Sequence, residues 1–507
     1  MIHGTSVWDL VESRARATPD ALFAVDDRDR RLDFAGYRDA ARRAAAGLAE
    51  RGVGEGTVVS WQLPTTLEAL VLAGALARLG AVQNPILPIY RRREVGFVVG
   101  QARASLLVVP SEWRGFGHEA MAREIAAETD GLEVLVVDEE LPEGDPGRLP
   151  SWQAMGEPPV RWLFYTSGTT AEPKGARHCD ATLLAVGRAL AERLALAPDD
   201  RIALVFPFTH VGGLGWLLAG LLSGCAQIVI PTFGPEAIDA LARHGVTQAT
   251  AGTVFHQAYL AAQRARGPEP IFPRVRAFPG GGAPKPPGLH AAVKRELGGA
   301  GIVSGYGLTE CPIATMGAPG DPDERLAETE GRPTEGVEIR IVAWDGGPAV
   351  AGEPGEIRLR GPQLFHGYLD TSLDAEAFDA EGFFRSGDLG HLDDAGHLVV
   401  TGRLKDVIVR KGENVSAREI EDLLHQHPKV AEAAVVGLPD PTCGERVCAV
   451  VACREPAAPL GFDEMTDFLR ARGLMAQKLP EQLELVPELP RNPTGKVLKH
   501  ELRRRFS

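Results

Sequence analysis

Residues 165–175 read YTSGTTAEPKG. Four hydroxyl side chains (Thr166, Ser167, Thr169 and Thr170), two glycines (Gly168 and Gly175) and Lys174 fall in this short stretch. Glycines let a backbone approach an anion closely, hydroxyls and N–H groups donate to its oxygens, and a lysine supplies charge. The composition suits the holding of a phosphate chain. The string G-x-x-x-x-G-K-[ST] is absent, so this is not a P-loop. Taken alone, a Ser/Thr/Gly loop is more often only a loop.

Six more strings stand out. They are FPFTHVGG at 206–213, PGGGAP at 279–284, GYGLTE at 305–310, SGDL at 386–389, GRLKDVIVRKGENVSAREIE at 402–421 and PRNPTGK at 490–496. Singly each has a bland reading. Thr309 suits a helix cap, Asp388 a turn, Arg403 a surface cation, and His210 a half-buried histidine. Lys496 opens a basic tail with Lys499, Arg503, Arg504 and Arg505.

In register along nearly the whole chain, the seven strings resemble the adenylate-forming superfamily. That superfamily includes acyl-CoA synthetases, luciferases and the adenylation domains of peptide synthetases. Its phosphate loop usually reads [ST]SGTTGxPKG; here Ala171 stands where glycine is usual and Glu172 follows. Ser386 stands where threonine is commoner. The resemblance implies a carboxylate attacking the α-phosphorus of ATP, so the protein must cancel negative charge and align two anions. By that resemblance Thr166, Ser167, Gly168, Thr169, Thr170 and Lys174 hold phosphates. Thr309 touches the α-phosphate, Glu310 binds Mg²⁺, and Lys496 bridges the substrate carboxylate and the α-phosphate. Gly281, Gly282, Ala283 and Tyr306 face adenine, with Tyr306 stacking on it. Asp388 and Arg403 contact the ribose. His210, Gly212, Gly213, Val254 and Phe255 line the acyl pocket, and Lys411 and Gly412 a CoA tunnel. Lys405 is the hinge between two half-reactions. No acidic residue in the acyl set suits an ammonium group, which disfavours amino-acid activation.

The implied reaction is carboxylate + ATP → acyl-AMP + pyrophosphate, followed by acyl transfer to CoA. The texture is most similar to ligases for fatty, alicyclic or aromatic acids, such as cyclohexanecarboxylate–CoA ligases. A separate carrier protein or another small nucleophile stays open as the acceptor, and a homodimer stays open as the assembly. A catalytically dead regulator is the third reading; Lys174, Glu310, Asp388, Arg403 and Lys496 argue against it.

Composition sets the bounds. The 507 residues carry 54 Lys+Arg against 68 Asp+Glu, a net charge of −14, which argues against a nucleic-acid partner. Only nine of the cations are lysines. Six cysteines form no CxxC pair, and reduced thiols in a cytoplasmic protein fit best. The N-terminus lacks the apolar segment of a signal peptide. Residues 211–234 are uncharged but carry six glycines, so they read as a buried helix and strand rather than a membrane span.

The elements that must position these residues alternate. Helices are expected at 38–51, 67–79 and 238–244, stopped by Gly52, Gly80 and Gly245, with strands at 202–206 and 227–230. Such alternation implies helix-covered parallel sheets. Near 337 the texture becomes an antiparallel hairpin. The last hundred residues read as a small α+β unit: a helix from Ala417 with a Ser416/Glu419 capping box, strands at 433–436 and 447–452, and a helix at 463–472. The expected fold is therefore α/β. Residues 1–403 hold two helix-covered sheets and a small antiparallel barrel, 404–405 form a hinge, and 406–507 form a mobile lid.

Overall fold

The computed structural model describes residues 1–152, 159–166, 173–283, 285–350, 352–410, 413–491 and 497–507. A six-stranded sheet forms one layer of the body. Its inner strands pair in parallel, and Leu106–Val109 is buried throughout, as a strand covered on both faces must be. At its edge β1 (Val160–Tyr165) and β2 (Gly175–Cys179) pair antiparallel as the two arms of a hairpin. β2 runs straight into α1 (Asp180–Arg193). The buried Asp180 carboxylate accepts from Trp162 Nε1 at 2.8 Å and from the Val7 backbone N–H at 2.9 Å. These bonds tie hairpin and helix to the N-terminal segment.

α2 (Val211–Ser223) lies in the core between the layers, beside α1. It stops at Gly224, where φ is +85°. The strand Ala226–Val229 then pairs in parallel with Arg201–Leu204 and Leu22–Asp26 in the second sheet. The uncharged stretch is thus a buried helix and strand. Among the described residues no helix is long and apolar enough to cross a membrane. Helices at Phe34–Ala49, Leu67–Leu79 and Pro235–Arg243 match the expected ones within a few residues, and Gly80 and Gly245 have the left-handed φ of helix stops.

Beyond α3 (Thr253–Arg266), the parallel strands β3 (Phe278–Gly281) and β4 (Ile302–Tyr306) extend the second layer. Bridges at Gln248 link them to Arg201–Leu204. Here the glycines have a packing reason. A Cβ on Gly281 would sit 2.2 Å from the Gly305 carbonyl oxygen, and one on Gly280 would sit 2.0 Å from that of Ala251.

The expected hairpin is Glu338–Val342 with Gly355–Arg360, continued by β5 (Phe384–Leu392) and β6 (Leu398–Arg403). Among the described residues these strands pair in an open order. The apolar face closes against Tyr306, Cys311 and Ala314 rather than as a ring of strands, so the expected barrel is an open four-stranded sheet.

A 3₁₀ turn, Leu404–Asp406, leads into the C-terminal unit. It contains α4 (Ala417–Leu424), the long hairpin β7 (Val430–Asp440) and β8 (Gly444–Cys453), a helix Phe462–Ala471, and α5 (Lys499–Phe506). Its five-stranded sheet carries an apolar cluster on each face. Ser416 caps α4 by accepting from the Glu419 N–H at 3.4 Å. The expected return bond does not form, because the Glu419 carboxylate pairs with Lys478 at 2.7 Å. All six cysteines are free thiols.

Candidate active site

Two groups of polar residues meet where the hairpin β1–β2, the end of β4 and the open sheet converge. The first stands at the neck of the hairpin. The Thr166 N–H donates to the Lys174 carbonyl at 3.0 Å, which closes the neck. Lys174 Nζ lies 5.2 Å from the centre of the Tyr368 ring. The Tyr368 hydroxyl donates to Glu310 Oε1 at 2.7 Å. His178 on β2 holds the same turn by donating from Nε2 to the Thr309 carbonyl at 2.8 Å. Burial pushes the Glu310 carboxyl above the ordinary carboxylate range, against the pull of the Tyr368 bond and the Lys174 charge.

The second group is a clasp. Asp388 and Arg403 face each other across β5 and β6, and Arg403 Nε forms an ion pair with Asp388 Oδ1 at 2.7 Å. The Tyr306 hydroxyl donates to the other oxygen, Oδ2, at 2.8 Å. The clasp opens on a cavity of about 380 Å³ between the body and the C-terminal unit. Val254, Gly282, Ala283 and Lys405 line it as well. A cavity of this size suits a small-molecule ligand.

The remaining residues are dispersed. His210 caps α2, its Nδ1 accepting from the Gly212 N–H at 3.1 Å, which leaves the proton on Nε2. Burial lowers its pKa to about 4, so the ring is neutral near pH 7. With Thr309 and Tyr165 it borders a separate tight crevice rather than the large cavity. A Cβ on Gly213 would lie 2.6 Å from the Phe208 carbonyl oxygen, so that glycine is required by packing. Phe255 packs edge-on to Phe233. Lys405 lies in the 3₁₀ turn, and burial lowers its pKa. Ser167, Gly168, Thr169, Thr170, Lys411, Gly412 and Lys496 lie outside the described residues.

Sequence reasoning missed Tyr368, His178, Lys285 and Glu330. Lys285 is buried, donates to Ser304 Oγ at 2.9 Å and the Thr329 carbonyl at 3.2 Å, and borders the cavity with Glu330. Burial lowers the Lys285 pKa and raises that of Glu330. The one local sign of Tyr368 was its Gly-Tyr step in a loop, a weak signal.

The AMP-binding enzyme profile matches residues 11–369, and the AMP-binding enzyme C-terminal domain profile matches 419–496. The chain belongs to the AMP-binding enzyme family. It is similar to a salicyl-AMP ligase / salicyl-S-ArCP synthetase of Mycobacterium tuberculosis, with 35% identity over 99% of this chain and 91% of that one. It is also similar to a medium-chain fatty-acid–CoA ligase of Escherichia coli, with 32% identity over 98% of this chain and 90% of that one. The structure of o-succinylbenzoate coenzyme A synthetase from Bacillus subtilis, in complex with ATP and magnesium ion, superposes with a TM-score of 0.85. That match has 27% identity and covers 97% of this chain and 98% of that one. The protein is an adenylate-forming acid–thiol ligase.

The residues fit a magnesium ion such as the Bacillus subtilis synthetase holds with ATP. Magnesium is commonly bound through one or two carboxylates plus substrate phosphates. Glu310 offers a buried carboxylate beside the neck of the hairpin, where Lys174 lies over the Tyr368 ring.

Proposed function

We propose that the protein is an acid–CoA ligase for a fatty, alicyclic or aromatic acid, acting in two steps. The acid carboxylate attacks the α-phosphorus of ATP, giving acyl-AMP and releasing pyrophosphate. The CoA thiolate then attacks the acyl carbon, and AMP leaves. The observation that carries this reading is the Tyr306–Asp388–Arg403 clasp on the cavity between the two units, with the Glu310 carboxylate nearby.

Asp388 and Arg403 receive the ribose, while Tyr306 with Gly281, Gly282 and Ala283 receives adenine. Thr166, Ser167, Gly168, Thr169, Thr170 and Lys174 hold the phosphates, and Thr309 the α-phosphate. Glu310 holds Mg²⁺, which supplies neutralising charge to the phosphates. Lys496 bridges the two reacting anions. His210, Gly212, Gly213, Val254 and Phe255 border the acid, and Lys411 and Gly412 the thiol. Residues 1–403 form the body and 406–507 a lid that turns about 404–405, with Lys405 the hinge.

A second reading keeps the adenylate and passes the acyl group to a separate carrier protein. The 35% identity with a salicyl-S-ArCP synthetase favours it. Pyrophosphate release across a panel of fatty, alicyclic and aromatic acids, with and without CoA, separates the readings. Acid-dependent release with acyl-CoA formed is the expected result. Acyl-AMP that persists beside CoA favours the carrier, and no acid-dependent release sinks both.

A further inference from the structure

Arg503, Arg504 and Arg505 look alike as a basic tail, but they are not equivalent in the structure. Arg504 and Arg505 are exposed, whereas Arg503 is partly buried against the 3₁₀ turn that joins the two units. Its guanidinium donates to Asp406 Oδ1 at 2.8 Å and to the Lys405 carbonyl at 3.4 Å. Burial pushes the Asp406 carboxyl up, but Lys499 and Arg503 outweigh it and hold its pKa below the ordinary value.

Arg503 is itself rigidly mounted. Leu502 is buried in the cluster with Val436, Leu438 and Val450. Lys499, one helical turn before Arg503, pairs with Glu421 of α4 at 2.7 Å. Glu421 in turn accepts from the Val435 N–H of β7 at 2.7 Å. Thus α5 moves with the C-terminal sheet. On the other side of the turn, the Arg403–Asp388 pair fixes the end of β6 to the body. Two ion pairs therefore bracket Leu404 and Lys405.

We propose that Arg503 is a positioning residue for the two-step reaction: it fastens the 405–406 peptide to the lid and confines the lid's rotation to Leu404 and the Cα torsions of Lys405. This rests on the lid reading given above. Without the fastening, Asp406 adds its own torsions to the joint. The lid then samples more orientations, and each productive one is less populated. Nucleotide contacts from both units hold the adenylating orientation, so thioester formation bears the larger loss.

Single-turnover measurements of each half-reaction in the full-length enzyme test this. In Arg503→Ala, thioester formation from supplied acyl-AMP should slow about tenfold while acyl-AMP formation stays within about threefold, the scale of one partly buried ion pair. Asp406→Ala should shift the ratio equally, the double variant should go no further, and Arg503→Lys should restore most of the ratio. Should Arg503→Ala fold poorly, Asp406→Asn and Arg503→Lys carry the same comparison. Equal slowing of both half-reactions, or multiplicative effects in the double variant, overturns the proposal. A wild-type enzyme that runs only one half-reaction overturns the lid reading and the proposal with it.

Discussion

Glu310 and Asp388 sit in one site and are almost equally shut off from water, at 7% and 4% exposed. Their partners differ. Asp388 has a guanidinium on one oxygen and a phenol on the other, so its charge is neutralised and its geometry fixed before any ligand arrives. Glu310 is held by neutral donors, the Tyr368 hydroxyl and its own backbone N–H, and among the described residues it makes no ion pair. Burial therefore raises its pKa. A buried carboxylate paired with arginine is a finished hydrogen-bonding platform, whereas one held by a phenol keeps affinity for a cation.

Breaking the unpaired carboxylate should cost most. Glu310→Gln should slow acyl-AMP formation by roughly 10²–10³, the usual loss when a charge-stabilising group at a transition state is removed. AMP binding without Mg²⁺ should stay within about twofold. A rate loss with an unchanged Mg²⁺ dependence would dissolve the contrast. Asp388→Ala comes next. AMP affinity should fall by about 10- to 100-fold, the scale of one or two charged hydrogen bonds, as calorimetry would measure. Unchanged affinity in a folded variant removes Asp388 from the nucleotide site.

Acidity sharpens the comparison. If ionised Glu310 is required, activity should fall as pH drops through its raised pKa, at higher pH than an ordinary glutamate would give. Tyr368→Phe removes the bond that lowers this pKa, so the acid limb of the pH–rate profile should move further up. Near neutral pH the rate should fall about three- to tenfold. A profile unmoved by the change would mean that another group sets the limb. For stability the sign is opposite: Glu310's raised folded pKa favours the fold most below its unfolded value, and that contribution is lost as pH rises through the folded pKa. Tyr306→Phe should do least. Arg403 still holds Asp388, and a loss of about 1 kcal/mol in thermal or denaturant unfolding is expected for one hydrogen bond.

Much of the fold was legible because its signals are local. The glycine stops at Gly80 and Gly245, the Ser416 cap and the alternation at 338–342 each need only a few neighbouring residues to take effect. The site was legible in part. Asp388, Arg403, Tyr306, Gly282 and Ala283 do border one cavity. His210 borders another space, because capping α2 turns its ring toward Gly212, and Gly213 answers to the backbone of Phe208. The barrel was not legible, since closure depends on where the open sheet's face packs.

The sequence by itself determined the order of the motifs, the periodic elements between them and the kind of chemistry the hydroxyl, carboxylate and lysine residues could serve. Tertiary structure alone decided which carboxylate is paired with an arginine and which is held by a phenol. Tyr368 reaches Glu310 from 58 residues away, Tyr306 reaches Asp388 from 82, and Arg503 reaches Asp406 from 97. No local pattern encodes those bonds. They exist because sheets and helices, each formed for reasons of their own apolar faces, bring distant polar groups into spaces where water cannot satisfy them.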